Sequence, residues 1–98
     1  MGYKDVKALV LTCLQSGNIL HASRGDIDTK NLLCTGQVTS EEVAEIIRRS
    51  RGSDYVCSPH HSVSGVDVHI IQRSHKGVAW YIKWYFVEPN SIFISVHH

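Results

Sequence analysis

The chain has 98 residues and a mass of 11.0 kDa, the size of a single domain. Its hydrophobic fraction of 43% and charged fraction of 19% are typical of a globular protein and exclude a disordered one. Lysine and arginine total 10 and aspartate and glutamate total 9, so the net charge is +1, which excludes nucleic-acid binding by bulk positive charge and leaves only a local patch.

The first half of the chain shows helical periodicity. Apolar residues recur at helical spacing between Val6 and Leu14, which predicts an amphipathic helix over residues 3–15, ended by Gly17. The stretch after it, residues 19–37, is less regular, and residues 26–29 are predicted to cap a short helical piece there that holds Leu32 and Leu33 and ends at Gly36.

A second helix is predicted to begin after Thr39. Thr39 and Glu42 have the spacing of a capping box, and Gly52 is predicted to end the helix. The apolar stripe of this helix consists of Val43, Ile46 and Ile47. Arginines in the last turn suit the negative end of the helix dipole.

The second half of the chain alternates like β-structure. Strands are predicted over residues 54–58, 66–71, 78–87 and 92–97. Because consecutive strands with short turns pair as an antiparallel meander, we expect an α+β fold, with two N-terminal helices packed on one face of an antiparallel sheet of about four strands. The chain is then one domain, residues 1–98, with a helical part over 1–52 and a strand part over 53–98.

Alternation along the strands separates a buried face from an open face. The residues predicted to pack under the helices are Val66, Val68, Ile70, Val78, Trp80, Ile82, Trp84, Phe86, Ile92, Ile94 and Val96. The residues predicted on the open face are Asp67, His69, Ile71, Arg73, Ala79, Tyr81, Lys83, Tyr85, Phe93, Ser95 and His97. Imidazoles, phenols, an ammonium and a hydroxyl therefore share one side of the predicted sheet.

This set of groups is what RNA cleavage through the 2′-hydroxyl requires. That reaction needs a base, an acid and a cation for the charge that develops on the phosphate, and histidine can fill either proton role near neutral pH. The candidate catalytic residues are His69 and His97 as proton carriers, Tyr81 as a positioning group or acid, and Lys83 as phosphate ligand. The candidate substrate-binding residues are His60, His61, Arg73, Tyr85 and Ser95. Aromatic side chains on an open sheet can stack unpaired bases.

Two other functions are compatible with the same residues. Six of the seven histidines lie between His60 and His98, which suggests a small metal-binding protein through His60, His61, His69 and His97. The other alternative is a non-catalytic module that binds single-stranded RNA or protein on the open sheet. Because no cysteine pair and no helical histidine pair accompanies the cluster, we expect no metal and no cofactor.

The cysteines indicate a reduced compartment. Cys13, Cys34 and Cys57 are widely spaced and odd in number, so they do not form a disulfide framework. We interpret all three as buried, small hydrophobic residues of a cytoplasmic protein. No apolar run approaches the length of about 18 residues that a membrane span needs.

Several short segments resemble MqsR-type toxins, which belong to the RelE-like group of messenger-RNA interferases. The segments are residues 6–10 in the first helix, 37–47 around the second helix, 53–55 at the entry to the strands, Tyr81-Ile82-Lys83, and the closing strand 92–97. The likeness extends over nearly the whole chain. It implies a toxin that cleaves messenger RNA by metal-independent attack of the 2′-hydroxyl, free or ribosome-bound, and that a cognate antitoxin neutralises.

Individual residues of this chain can be compared with the site residues of the MqsR-type family. Tyr81 matches the functional tyrosine of the family, Lys83 the strand lysine beside it, and His97 lies at or next to a basic position of the closing strand. The chain departs from the family at Val56, where a lysine is usual, and near His69, where the family has a glutamine. A histidine-based site would replace lysine-based proton transfer, since the pKa of histidine lies closer to neutral pH.

Overall fold

Within the part of the chain that the structure describes, two helices lie against one face of a mixed five-stranded sheet. The computed structural model describes residues 2–22, 30–60 and 62–98. The helices are α1 (Tyr3–Ser16) and α2 (Ser40–Arg49), and the strands are β1 (Ile19–His21), β2 (Tyr55–Pro59), β3 (Asp67–His75), β4 (Val78–Val87) and β5 (Asn90–His97). A 3-10 turn, Gly52–Asp54, leads into β2. The α+β class and the two helices confirm the prediction.

The sheet has one strand more than the four predicted, and it is not purely antiparallel. The strand order is β1-β5-β4-β3-β2, with β1 parallel to β5 and the other neighbours antiparallel. Three residues are too few to show an alternating pattern, so β1 forms because Ile19 and Leu20 pair with Ser91 and Ile92 of the distant β5. Residues 26–29, the predicted cap of a short helical piece, lie outside the described residues, whereas Leu32 and Leu33, which that piece was predicted to hold, lie in turns rather than in a helix.

The two helices begin and end where local chemistry favours it. α1 ends at Gly17, whose φ of 77° is the left-handed conformation that glycine adopts readily, and the cap amide donates to the carbonyl of Cys13. α2 begins with the predicted capping box, in which the Glu42 amide donates to Thr39 Oγ1 at 3.1 Å and Glu42 Oε1 accepts from the Thr39 amide at 3.4 Å. α2 ends at Ser50, before the predicted stop.

The core lies between the helices and one face of the sheet. From the helices it contains Val6, Val10, Leu14, Val43, Ala44, Ile46 and Ile47. From the sheet it contains Ile71, Ile82, Trp84, Phe93 and Val96. The predicted apolar stripe of α2 and the predicted inward positions of β4 at Ile82 and Trp84 are therefore confirmed.

The predicted facing of β3 was wrong. Ile71 is fully buried in the core under the helices, and His69 lies directly opposite Trp84 on β4, so both belong to the helix side of the sheet. Val68 and Ile70 therefore face the other way, although Val68 is only 3% exposed. The prediction failed because β3 carries apolar residues on both faces, so the larger apolar set did not identify the helix side.

The facing of β5 changes along the strand. Trp84 pairs with Phe93 and the preceding Lys83 pairs with Ser95, so Ile94 is an extra residue in a β-bulge. Phe93 lies in the core, contrary to the prediction, and Ser95 lies on the open side of the sheet, as predicted. One inserted residue reverses which alternate side chains face the helices.

Candidate functional site

The face of the sheet turned away from the helices, here called the open face, aligns three polar side chains in one row. Tyr81 of β4 is paired with Gln72 of β3 on one side and with His97 of β5 on the other. The next row of the open face holds Lys83, paired with Ile70 and with Ser95. Neighbouring strands lie about 4.8 Å apart, and rows on one face about 6.6 Å apart, so these groups are within reach of one ligand.

Tyr81 and His97 form a stacked pair of polar rings on the open face. Their ring centroids are 5.1 Å apart and their planes differ by 19°, so the imidazole is stacked on the phenol. Both residues are half-buried, which leaves part of each ring in contact with solvent. Stacking orients the imidazole, and an imidazole can give or take a proton near neutral pH.

Lys83 supplies a positive charge next to this stacked pair. It is half-buried on β4, two residues after Tyr81, and therefore on the same face. Ser95, directly opposite on β5, is 5% exposed. An ammonium at this place can hold the oxygens of a phosphate group as a point charge.

Tyr85 and His60 lie together at the other end of the open face. Their rings meet edge to face with centroids 5.0 Å apart. Nδ1 of His60 accepts hydrogen bonds from the amides of Ser62 at 3.0 Å and Val63 at 3.1 Å, so the neutral ring carries its proton on Nε2. The loop after β2 thus orients His60 toward Tyr85. His61, the neighbouring candidate, lies outside the described residues.

Two predicted site residues, His69 and Arg73, lie on the opposite face from the others. His69 is 7% exposed, with its ring beside those of Trp84 and Phe86 and its Nδ1 2.7 Å from the Tyr55 hydroxyl. Burial lowers the pKa of His69, and the negative charge of Asp67 opposes part of that shift. The imidazole is therefore neutral at pH 7 and is not a proton carrier of the open face.

Arg73 forms an ion pair beneath the helices. Its Nη1 donates to the Asp54 carboxylate at 3.1 Å, and the two side chains are 26% and 22% exposed. The Asp54 carboxylate on the helix side compensates for the partial burial of the Arg73 charge. Arg73 therefore does not join Lys83 on the open face, and the substrate-binding role predicted for it does not fit its position.

The sequence analysis missed Gln72 as a member of the open face. It is exposed and directly opposite Tyr81. The correct facing of β3 would have identified it, because Gln72 alternates with Ile71 and Arg73. An amide that both donates and accepts hydrogen bonds is thus added to the row of Tyr81 and His97.

Three further findings bear on the functions considered above. Among residues 2–22, 30–60 and 62–98, no three histidine, cysteine, aspartate or glutamate side chains are grouped so that they could hold one metal ion. Within the same residues, no helix is long and apolar enough to cross a membrane. No protein-family model matches the sequence, and no curated protein matches it significantly. The resemblance to MqsR-type toxins therefore stays a prediction.

Proposed function

We propose that the protein is an endoribonuclease toxin that cleaves messenger RNA on the open face of its sheet, by attack of the RNA 2′-hydroxyl and without a metal ion. The observation that carries the proposal is the imidazole of His97 stacked on Tyr81, one row away from Lys83. A base, an acid and a cation are the groups that this reaction needs. A cognate antitoxin would neutralise the protein in the cytoplasm by covering this face.

Each group has a defined role in the proposed reaction. His97 takes the proton from the 2′-hydroxyl, whose oxygen then attacks phosphorus. The bond from phosphorus to the 5′-oxygen breaks, and the Tyr81 hydroxyl gives its proton to that oxygen. Lys83 stabilises the charge on the non-bridging phosphate oxygens. The products are a 2′,3′-cyclic phosphate and a free 5′-hydroxyl.

Substrate binding is assigned to the rest of the open face. Tyr85 and His60 present rings on which an unpaired base can stack, and base stacking is worth roughly 1–3 kcal/mol per base. Gln72 is exposed in the row of Tyr81, where its amide can hydrogen-bond to the sugar and phosphate, whereas Ser95, in the row of Lys83, is only 5% exposed and is not assigned a contact with the substrate. Single-stranded RNA is the favoured substrate because stacking of this kind requires splayed bases.

The test is cleavage of an end-labelled single-stranded RNA by the purified protein in EDTA. His97→Ala, Tyr81→Phe and Lys83→Ala should each lower the cleavage rate by about 100-fold or more, since each removes one proton-transfer or charge-stabilising group. His75→Ala and Lys76→Ala are the matched controls, because these residues lie at the β3–β4 turn outside the open face. The controls should cleave at the wild-type rate.

Three results would contradict the proposal. One is cleavage that disappears in EDTA, and another is cleavage that all three open-face variants retain. The third is tight binding of RNA by the wild-type protein without any cleavage, which would instead establish the non-catalytic binding module. Analysis of the RNA ends tests the reaction path, because 2′-hydroxyl attack leaves a cyclic phosphate, and loss of cleavage in variants purified in the same way excludes a contaminating ribonuclease.

A further inference from the structure

A second cluster of reactive side chains lies on the helix side of the sheet, at its β2 edge. It lines a recess of about 430 Å³ that also borders the start of α1. The cluster consists of Tyr55, Cys57, Asp67 and His69. None of the roles proposed for the open face uses this recess.

Cys57 is the nucleophile of the cluster. Cys13 is buried, as predicted, whereas Cys34 and Cys57 are exposed, contrary to the prediction. The prediction failed at Cys57 because β2 is an edge strand, which solvent reaches along its open side. Of the two exposed thiols, Cys57 is the one that lines the recess, and it lies directly opposite His69 in the strand register.

Tyr55 connects the thiol to the buried imidazole. Tyr55 and Cys57 alternate on β2 and so share the helix side, and the Tyr55 hydroxyl is 2.7 Å from Nδ1 of His69. Burial raises the pKa of Tyr55 above its usual range, and the neighbouring Cys57 and Asp67 side chains add to the rise. The hydroxyl therefore stays protonated and donates a hydrogen bond to the neutral His69 ring. Its oxygen can accept a hydrogen bond from the Cys57 thiol.

The remaining walls of the recess favour a ligand that carries both apolar surface and a carboxylate. Tyr3 and Phe86 supply aromatic surface. The N-cap residue of α1 is Gly2, which also lines the recess and provides no side-chain cap for the first amides of the helix. Uncapped amides at a helix N-terminus attract anions.

We propose that Cys57 is a thiol–disulfide exchange site that takes a small disulfide bearing a carboxylate, of the glutathione disulfide class. The thiol proton passes through the Tyr55 hydroxyl to Nδ1 of His69, and Asp67 stabilises the imidazolium. The Cys57 thiolate attacks one sulfur of the ligand, a new S–S bond forms and the ligand S–S bond breaks. The departing thiolate takes up the proton, so that a mixed disulfide on Cys57 and one free thiol result.

The experiment uses the reduced full-length protein and oxidised glutathione, with acid quenching and quantification of the modified peptides by mass spectrometry. Cys34 in the same molecule is the internal reference. Cys57 should form the mixed disulfide at least about tenfold faster than Cys34, because the Tyr55 hydroxyl beside Cys57 can accept the thiol proton. Equal rates at the two cysteines would overturn the proposal.

Variants and a second disulfide test the mechanism separately. Tyr55→Phe should bring the rate at Cys57 close to that at Cys34, whereas Tyr85→Phe, the same substitution on the open face, should leave the ratio unchanged. For the wild-type protein, bis(2-hydroxyethyl) disulfide, which has no carboxylate, should lose the preference for Cys57. This measurement needs no variant, so it decides the ligand class even where Tyr55→Phe unfolds. An undiminished preference for Cys57 with the uncharged disulfide would overturn the carboxylate assignment.

Discussion

At the scale of single residues, two imidazoles, one half-buried and one buried, act as hydrogen-bond acceptors. Nδ1 of His21 lies 3.0 Å from the side-chain nitrogen of Asn31, which is fully buried. Nδ1 of His69 accepts from the Tyr55 hydroxyl. Burial lowers the pKa of both histidines, because a charged ring would lose its solvation.

These two histidines make the stability of the fold depend on pH. Their folded-state pKa values lie below the value of about 6.5 that they have in the unfolded chain, so the unfolded state binds more protons as the pH falls. The stabilisation is complete above pH 6.5 and is lost as the pH drops below it. We expect the free energy of unfolding, measured by urea denaturation, to be clearly lower at pH 5 than at pH 7.5.

The double variant His21→Gln, His69→Gln is the control for this effect. It cannot be protonated at the two positions, so its stability should change little between pH 7.5 and pH 5. The pKa of Asp54 is lowered chiefly by its hydrogen bond with the Arg51 amide. The stability that this carboxylate contributes is therefore lost only at lower pH, near its ordinary pKa of 3.8 and under it. An equally steep pH dependence in the double variant would show that other groups are responsible.

At the scale of elements, the capping box of α2 contributes measurably to the free energy of unfolding. Thr39→Ala removes the oxygen that accepts from the Glu42 amide and should lower the free energy of unfolding by about 1 kcal/mol. Thr12→Ala is the matched control, because Thr12 is exposed inside α1 and its hydroxyl donates only to the Ala8 carbonyl one turn back. That change should alter stability by less than about 0.5 kcal/mol. Thermal or urea denaturation compares the two variants, and equal losses would contradict the assignment.

Elements with an unambiguous local pattern could be predicted from the sequence. α1 and α2 each have one apolar stripe and a clear end signal, and β4 spans Val78–Val87, as predicted, with Ile82 and Trp84 buried between half-buried neighbours. The tight turn before β4 is also local, since Lys76 and Gly77 have φ angles of 52° and 79°, which suit a two-residue hairpin. These features depend on neighbours in sequence and therefore need no tertiary information.

The candidate site could be predicted only in part, because the facing of two strands depends on tertiary contacts. Tyr81, Lys83 and Tyr85 share β4, whose periodicity is clear, so their common face follows from the sequence. His69 is different, because Tyr55 and the rings around it compensate for burial of a polar group on the helix side. No local pattern shows that a polar residue has such partners, or that a bulge interrupts β5.

At the scale of the whole molecule, the helix side supports stability and the open face supports the proposed chemistry. Ile71→Ala would create a cavity under the helices and should lower the free energy of unfolding by roughly 2–5 kcal/mol. Tyr81→Phe removes only a hydroxyl from the open face and should change stability by less than about 1 kcal/mol. Denaturation curves of the two variants measure this difference, and an equal loss of stability would show that Tyr81 has a structural role.

Because the core and the open face are separate, the same two substitutions should affect RNA cleavage in the opposite order. At a temperature where Ile71→Ala is still folded, its cleavage rate should equal that of the wild-type protein, since Ile71 faces away from the site. Tyr81→Phe should be strongly impaired while fully folded. Circular dichroism before each assay establishes the folded fraction. Slow cleavage by folded Ile71→Ala would show that packing on the helix side affects the site on the open face.

The bulge at Ile94 has a consequence for how such a surface arises. Before it, Phe93 belongs to the core, and after it His97 stands beside Tyr81 in the open. Without Ile94 the strand would alternate without interruption, and Ser95, Val96 and His97 would still pair with Lys83, Ile82 and Tyr81, so His97 would stay on the open side and Val96 in the core. The gain or loss of the codon for residue 94 thus changes the length of β5 without moving the histidine to the other side of the sheet.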